Sequence, residues 1–297
     1  MDLDATIATF LIQDGVTNGA IYALLGLALV LVFAVTRIIF IPQGEFVAYG
    51  ALSLALLDSG KIPGTAPMLI AFGVAAMALD LWALRRGFNL TSFIRSLVVN
   101  LALPTAIYGL VALIAPIELP AILRAGLAVL IIAPMGYYIY RIVYRPLVDA
   151  SVLVLLIASL GVHLFMMGLG LVFFGPEGLR ARPLAEGSFP LGPLVVTTQS
   201  LWIYGVTILI IVGLYLFFEK TLLGKALRAT AVNRLGARLV GVRTQLTGVT
   251  ALVLAAIIGA ISGVLIAPVT TIYYDTGFLI GLKGFVAAIL GGLGTFL

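Results

Sequence analysis

The run Val152–Phe174, VLVLLIASLGVHLFMMGLGLVFF, decides the class of this protein, because it contains no Asp, Glu, Lys or Arg. A transmembrane helix needs about 20 mostly apolar residues to cross about 30 Å of hydrocarbon. The run is long enough to do so, and its single imidazole, His163, lies near its middle. The run therefore predicts a helix that spans a membrane.

The composition of the whole chain agrees with that prediction. The 297 residues are 62% hydrophobic and 10% charged, with a mean hydropathy of +1.22, whereas soluble domains are about 45–50% apolar and about 25% charged. We therefore expect an all-α polytopic membrane protein of about nine transmembrane or broken helices, in a single transmembrane domain over residues 1–297. The apolar stretches are Gly15–Val35, Ile38–Leu57, Pro67–Leu84, Leu97–Ala115, Gly126–Val143, Val152–Phe174, Leu201–Phe218, Thr247–Val269 and the segment from Gly277 onward.

The basic residues predict the orientation, because Lys and Arg near the ends of spans concentrate in the cytoplasm. With the N-terminus outside, twelve basic residues face the cytoplasm and four face outward, and the opposite orientation reverses this ratio. The net charge of +5 is then explained by topology, without nucleic-acid binding. The inner set is Arg37, Arg85, Arg86, Arg95, Arg141, Arg145, Lys220, Lys225, Arg228, Arg234, Arg238 and Arg243; the outer set is Lys61, Arg124, Arg180 and Arg182.

Catalytic and metal-binding signatures are missing from the sequence. There is no cysteine and only one histidine, which leaves no disulfide, thiol nucleophile or His cluster for a metal. The tripeptide Gly224-Lys225-Ala226 lacks the upstream glycine and the hydroxyl residue of a phosphate-binding loop. We expect no catalytic residue, no metal and no cofactor in this chain, and therefore no ATPase site of its own.

The longest polar stretch, Glu219–Leu246, lies on the predicted cytoplasmic side. Its Ala and Leu residues favour a short helix between Gly224 and Gly241, with polar side chains exposed. Such a helix suits docking into a groove of a soluble partner. It would equally suit resting on anionic lipid as an interfacial helix, and composition does not separate the two. The candidate coupling residues are Gly224, Lys225, Arg228, Ala229, Asn233, Arg238 and Gly241.

The order of several motifs resembles permeases of branched-chain amino-acid ABC importers, the LivH-like kind. The polar stretch is followed by an Ala-rich span, Ala251–Gly263, and by KGFVAAILGGLG at Lys283–Gly294. Earlier motifs in the family's order are GVTNGAIYAL at Gly15–Leu24, GEFV at Gly44–Val47, YRPL at Tyr144–Leu147 and FGP at Phe174–Pro176.

The resemblance implies a subunit of an importer in the bacterial inner membrane. It implies a second similar permease, two cytoplasmic subunits that bind ATP and magnesium, and a binding protein outside that delivers the substrate. It favours docking over lipid contact for the polar stretch. Where the family shows Asn-Phe-Ala-His before Gly-Glu, this chain has Phe40-Ile41-Pro42-Gln43. Urea or short amides therefore stay open as substrates, as does a stand-alone secondary transporter.

Two further departures concern the extent of the chain. Residues Ile62–Pro120 resemble an extra pair of spans, and family members usually continue beyond Gly294. We therefore expect the chain to end before the family's C-terminal spans.

Ionisable residues inside spans are costly and are functional candidates by default. Glu45 and Lys283 each lie about 12 Å deep, from opposite faces, and would meet near the midplane. They either contact the ammonium and carboxylate of a passing amino acid or form a buried structural pair. With Asn18, Tyr22 and Gln43, they are the candidate pathway residues.

Other polar side chains in the spans carry weaker hypotheses. Asp14 and Thr17 share one flank of the first span with Asn18 and Tyr22, and these four either face the pathway or bond to neighbouring helices. We expect His163 to be a hydrogen-bonded packing residue among apolar neighbours, rather than a proton relay. We expect Asp80 to be structural, snorkelling or pairing with Arg85 or Arg86.

Overall fold

The computed structural model describes residues 3–85, 89–191 and 194–292. Within these ranges the chain forms helices and one β-hairpin. The elements are α1 (Leu3–Thr36), α2 (Gln43–Asp58), α3 (Thr65–Leu84), α4 (Leu90–Leu97), α5 (Leu103–Ile114), α6 (Ala121–Ile139), α7 (Val152–Phe174), β1 (Ser188–Leu191), β2 (Leu194–Thr197), α8 (Thr198–Lys220), α9 (Leu222–Val232), α10 (Arg234–Leu239), α11 (Thr244–Ile266) and α12 (Thr276–Leu290). A π-helical turn, Val98–Ala102, joins α4 to α5, and a second one, Tyr140–Tyr144, extends α6.

The helical lengths confirm a polytopic all-α membrane protein. In the described part of the chain, seven helical segments are long and apolar enough to cross a bilayer. The predicted second and ninth spans are the 16-residue α2 and the 15-residue α12. At 1.5 Å per residue they are about 24 and 22 Å long, which is less than the hydrocarbon thickness of about 30 Å. The second predicted span is short because residues 37–42 precede α2 as non-helical chain, with Arg37 at φ 61°.

The centre of the bundle is α2, which is buried on nearly every side. A helix that is apolar all round belongs in such a position. It packs against α11 through small residues: a Cβ added at Gly263 would lie 2.1 Å from the carbonyl oxygen of Val47. Helices α1, α6 and α12 enclose this pair. Residues 62–120, expected to be an extra pair of spans, form α3 and α4–α5 against α6.

The two ends of the bundle carry different residues. At one, the hairpin end, Arg124 Nε lies 3.1 Å from Asp58 Oδ1 and the Arg182 N–H donates to Asp58 Oδ2 at 2.8 Å. The β-hairpin pairs Ser188 with Thr197 and belongs to the same loop. At the other, the coupling end, α10 and the residues after α6 meet, where Arg234 donates to the carbonyl of Val148.

These contacts place members of the outer basic set at the hairpin end and members of the inner set at the coupling end. They show which basic residues share an end of the bundle, and not which end faces the cytoplasm. The orientation of the N-terminus stays a prediction, and Arg86 of the inner set lies outside the described residues.

Candidate functional site

Glycines bring the first turns of the two short helices together. A Cβ at Gly44 in α2 would lie 1.8 Å from the carbonyl oxygen of Gly277 and 2.9 Å from the nitrogen of Gly281, both in α12. No side chain fits at position 44 without separating the two backbones. The N-termini of two helices, each with a partial positive charge, therefore lie side by side within the bundle.

Glu45 lies in the first turn of α2 and is completely buried. Its Oε1 is 3.0 Å from Nδ1 of His163 in α7, and the imidazole lies against the ring of Phe278, with centroids 5.0 Å apart. Glu45 and His163 therefore form a close polar contact enclosed by α2, α7 and α12.

The same pocket of the core holds acceptor oxygens without hydrogen bonds. Gln43 Nε2 donates to the carbonyl of Ala255 at 3.0 Å, whereas Gln43 Oε1 and both carboxylate oxygens of Glu45 have no hydrogen-bond partner among the described residues. The approach of Glu45 to His163 has the distance of an ion pair without the alignment of a hydrogen bond. Buried acceptors of this kind are rare and costly, and chemically they would accept hydrogen bonds from an ammonium group.

Lys283 lies in different surroundings, on the exposed side of α12. Its Nζ donates to the hydroxyl of Tyr22 in α1 at 3.3 Å and lies 5.4 Å from the centre of that ring. The neighbouring Leu279, Leu282 and Val286 are exposed as well. The outer face of α1 and α12 therefore presents one ammonium group among apolar side chains.

These contacts correct the expectation that Glu45 and Lys283 meet. Glu45 pairs with His163, and Lys283 contacts Tyr22, so the structural alternative of a buried Glu45–Lys283 pair was wrong. His163 was expected to be a hydrogen-bonded packing residue among apolar neighbours; its ring does pack on Phe278, but its Nδ1 lies beside the Glu45 carboxylate and forms no hydrogen bond with the described residues.

The sequence did contain a signal for the contact between Glu45 and His163. Glu45 lies eight residues beyond Arg37, and His163 lies eleven residues beyond Val152. Counted from the same side of the membrane, the two side chains are therefore at similar depths.

The polar flank of α1 divides into two kinds of contact. Thr17 donates to the carbonyl of Gln13 and shares a 2.7 Å hydrogen bond with the hydroxyl of Tyr204 in α8. Asn18 donates to the carbonyl of Asp14 one turn earlier and remains partly exposed. Thr17 thus bonds to a neighbouring helix, whereas Asn18 stays on the face that carries Tyr22.

Asp80 has a different partner from the two expected. Its carboxylate forms an ion pair with Arg141 of the turn that extends α6, and it accepts hydrogen bonds from Ser96 and Asn100. Asp80 thus pairs with Arg141 rather than with Arg85. Arg86, the other expected partner, lies outside the described residues. The network ties α3 to α4 and α6.

The polar stretch forms two helices instead of the single one expected. Asn233 interrupts it with extended backbone, and its side-chain oxygen accepts the Gly236 N–H at 2.9 Å, which caps α10. Thr221 caps α9 in the same way by accepting the Gly224 N–H. A Cβ at Gly224 would lie 2.1 Å from the carbonyl oxygen of Phe217, so glycine allows the sharp turn out of α8. Gly241 closes the segment at φ 88°, a conformation that favours glycine.

One side of α9 and α10 is anchored and the other is free of the bundle. Leu227 is fully buried against Leu31 and Val35 of α1 and Ala251 of α11. Facing away from the bundle is an apolar set, 68–81% exposed, which we name the coupling surface: Val232, Leu235, Leu239 and Val240.

The candidate coupling residues surround this surface. Lys225 and Ala229 are exposed, and Arg228 forms a partly exposed 2.7 Å ion pair with Glu219. Arg238 donates to the hydroxyl of Thr244 at 3.0 Å. The two helices therefore carry exposed apolar side chains together with basic ones, of which Arg228 and Arg238 lie near the carboxylates of Glu219 and Asp149.

Nearly the whole chain matches one family of known proteins. Residues 11–297 match the profile of a family described as branched-chain amino acid transport system / permease component. The chain belongs to this family. The permease motif at Lys283–Gly294 ends in Leu293 and Gly294, which lie outside the described residues.

Individual relatives agree with the family. The permease is 30% identical over 186 residues to the high-affinity branched-chain amino acid transport system permease protein BraD of Pseudomonas aeruginosa, which covers 60% of this chain and 61% of the relative. It is 29% identical over 174 residues to the Escherichia coli K12 permease LivH, covering 57% and 56%. It is 29% identical over 140 residues to the autoinducer 2 import system permease protein LsrC of Shigella flexneri, covering 46% and 40%.

The permease thus matches about three fifths or less of the length of these curated relatives. No solved structure matches it. Among the described residues, no group of three or more His, Cys, Asp or Glu side chains could hold a metal ion.

Proposed function

We propose that this permease is a subunit of an ATP-driven importer in the bacterial inner membrane, and that it moves branched-chain or related amino acids into the cell. Its partners are a second, homologous permease, two cytoplasmic subunits that hold ATP and magnesium, and a binding protein outside. The observation that carries the proposal is the coupling surface on a chain of this family. An exposed apolar patch rimmed by polar residues is typical of a protein-binding site.

The anchoring of α9 gives that surface a mechanical role. Leu227 packs on α1 and α11, and these helices contact α12 and α2, respectively. A displacement of α9 by a docked ATPase would therefore act on the two helices that carry Glu45 and Lys283. On this view the coupling end faces the cytoplasm and the N-terminus lies outside, with the nine predicted spans alternating in direction.

The outer face of α1 and α12 supports the position of the pathway. An ammonium group at mid-helix is costly against hydrocarbon, and Lys283 is exposed there beside Tyr22. A second permease covering this face would place Asn18, Tyr22 and Lys283 in a pathway between the two subunits. Lys283 would then attract the carboxylate of a passing amino acid.

Gln43 and Glu45 lie behind this face and have a separate role. They are completely buried, so substrate would reach them only if α2 and α12 separate. Their unpartnered oxygens would then accept hydrogen bonds from the substrate ammonium. Closure around the Glu45–His163 pair would restore the buried arrangement.

The test begins with purification of this permease in mild detergent from its own cells and mass spectrometry of the proteins that accompany it. We expect ATP-binding subunits and a second permease. Proteoliposomes of that complex with its binding protein should show ATP-dependent uptake of leucine, isoleucine or valine. Urea and autoinducer 2 are included as the competing substrates. A permease that purifies alone and transports without ATP would instead be a stand-alone transporter.

A further inference from the structure

A large cavity opens at the coupling end, apart from the Glu45 and Lys283 sites. Its volume is about 1120 Å³, and its walls come from α3, α4, α6, residues 145–149 and the start of α11. Five arginines line it: Arg95, Arg141, Arg145, Arg238 and Arg243. The carboxylates in its lining are Asp80 and Asp149. The cavity therefore has a net positive lining.

Both carboxylates are already engaged. Asp80 pairs with Arg141, which also donates to Asn100 Oδ1 at 3.0 Å and to the hydroxyl of Tyr137 at 2.7 Å. Asp149 lies 3.8 Å from Arg238. Within the described ranges, the guanidinium groups of Arg95, Arg145 and Arg243 have neither an ion-pair partner nor a hydrogen bond. Three exposed arginines thus line one cavity without a partner among the described residues.

Tyr140 lies in the wall of the cavity, but its hydroxyl does not face the open space. The residue is 2% exposed, the hydroxyl oxygen is buried, and a Cβ at Gly248 in α11 would lie 2.5 Å from that oxygen. The groups that a ligand in the cavity would meet are therefore the arginines, and guanidinium forks recognise phosphate.

The outer wall of the cavity is suited to lipid. In α4, Ser92, Arg95 and Ser96 share the face that lines the cavity. Leu90, Ile94 and Leu97 lie on the opposite face and are 38–60% exposed. Trp82 at the end of α3 is 61% exposed beside them. A lipid could place its chains along these apolar side chains while its head group enters between the helices, as basic pockets between transmembrane helices do.

We propose that this cavity binds a phosphate group, supplied by the head group of an anionic phospholipid. The phosphodiester accepts hydrogen bonds from the guanidinium groups of Arg95, Arg145 and Arg243. Because the cavity joins α3 and α4 to the start of α11, the bound lipid stabilises the base from which α9 and α10 project.

The test uses the full chain in the complex with which it purifies, in nanodiscs of phosphatidylcholine containing phosphatidylglycerol. Native mass spectrometry counts the phosphatidylglycerol molecules that remain bound after a detergent wash. We expect the triple variant R95Q/R145Q/R243Q to retain less by about tenfold or more, since each arginine near anionic lipid contributes to affinity. The matched control, Arg85→Gln, removes an exposed arginine at the same end that does not line the cavity and should retain the wild-type amount.

A second variant guards against misfolding. Arg95→Gln alone changes one exposed side chain that lines the cavity, so the fold should persist while lipid retention falls by about fivefold. Equal retention by the wild type and both lining variants would overturn the proposal.

The source of the phosphate is tested separately. Inorganic phosphate in excess should leave the lipid bound. If phosphate instead displaces the lipid, its binding is measured in nanodiscs of pure phosphatidylcholine. Phosphate binding there that requires the arginines would mean that the cavity recognises phosphate but that its ligand is a soluble ion, contrary to the lipid assignment. Retention of lipid only after the ATPase subunits have been removed from the complex would show that a protein partner fills the cavity, contrary to the proposal. None of these measurements uses uptake, so failure here is distinguishable from failure of the proposed transport function.

Discussion

Glu45 and Lys283 are both ionisable side chains within apolar helices, yet their surroundings are opposite. Glu45 is fully enclosed and lies 3.0 Å from His163. Lys283 is exposed on the outer face of α12, beside the hydroxyl and ring of Tyr22. Two ionisable side chains within apolar helices therefore need separate explanations: Glu45 contacts another side chain inside the bundle, whereas Lys283 faces outward.

The packing of α2 produces this difference. Gly44 lets α2 approach α12 so closely that the backbones at Gly44 and Gly277 touch, with Glu45 Oε1 beside Gly277. A polar group enclosed in this way is costly unless another polar group lies next to it. Among the described residues, the neighbour of Lys283 on the outer face is Tyr22 of α1. The predictions below separate the two environments, from the largest expected loss of stability to the smallest.

The closest backbone contact should be the least tolerant. Gly44→Ala places a Cβ where 1.8 Å remains to the Gly277 carbonyl oxygen, so we expect a loss of about 3 kcal/mol or more, the upper range for overpacking. The measurement is the thermal unfolding temperature of the purified chain in detergent. Gly161→Ala is the control, because a Cβ there has no neighbour within 4 Å. An unchanged Gly44→Ala protein would mean that α2 and α12 are not in contact.

The enclosed pair comes next. Glu45→Ala leaves the buried His163 without its partner, and leaving a buried polar group unsatisfied costs about 1–3 kcal/mol. The variant E45A/H163A removes both members, and its loss should be clearly smaller than the sum of the two single losses. Denaturant unfolding of all four proteins measures this coupling. Additive losses would show that the two side chains do not stabilise each other, and the pair would lose its structural role.

The limits of sequence reasoning are clear from these residues. Apolar length predicts α7 almost to the residue, and the order of motifs predicts the family, because both depend on local or linear patterns. The pairing of Glu45 with His163 and of Asp80 with Arg141 depends on which helices become neighbours. Linear spacing gives the depth of a side chain but not its direction around the helix axis. For that reason depth matching alone led to Lys283 as the partner of Glu45.

The break at Asn233 illustrates a second limit. Helix propensity summed over residues 222–239 favours one helix. Asn233 instead caps a new helix by accepting the Gly236 N–H, and this local hydrogen bond competes successfully with continuation of α9. The Asn-x-x-Gly spacing is visible in the sequence, but the spacing alone does not decide between a new cap and continuation of the helix.

The exposed ammonium should matter little for stability and much for transport. Lys283→Met removes one exposed cation–π contact, which contributes about 0.5–1 kcal/mol, so the unfolding temperature should barely change. Uptake into proteoliposomes should be abolished while the complex still assembles. Lys61→Met, which changes an exposed lysine at the hairpin end, is the control and should transport normally. If Lys283→Met prevents assembly with the second permease, the lysine is an interface residue rather than a pathway residue.

The smallest effect on stability is expected where the chain offers an apolar side chain to a partner. Leu235 is 68% exposed on the coupling surface, so Leu235→Asp should change the free energy of unfolding by about 0.5 kcal/mol or less. The same variant should lose the ATPase subunits on purification, because a buried, unpaired carboxylate would then face the partner's groove.

Ser151→Asp provides the matched control for that variant. It adds a carboxylate at the same end but lies at the cap of α7, where Asp serves as well as Ser, so the ATPase subunits should stay bound. Loss of the partner in both variants would attribute the effect to charge at this end in general. Loss in Leu235→Asp alone assigns it to the coupling surface, and retention in both would mean that α9 and α10 lie against lipid. In that case lipid would cover the exposed Leu235, whereas a protein partner would cover the exposed Lys283.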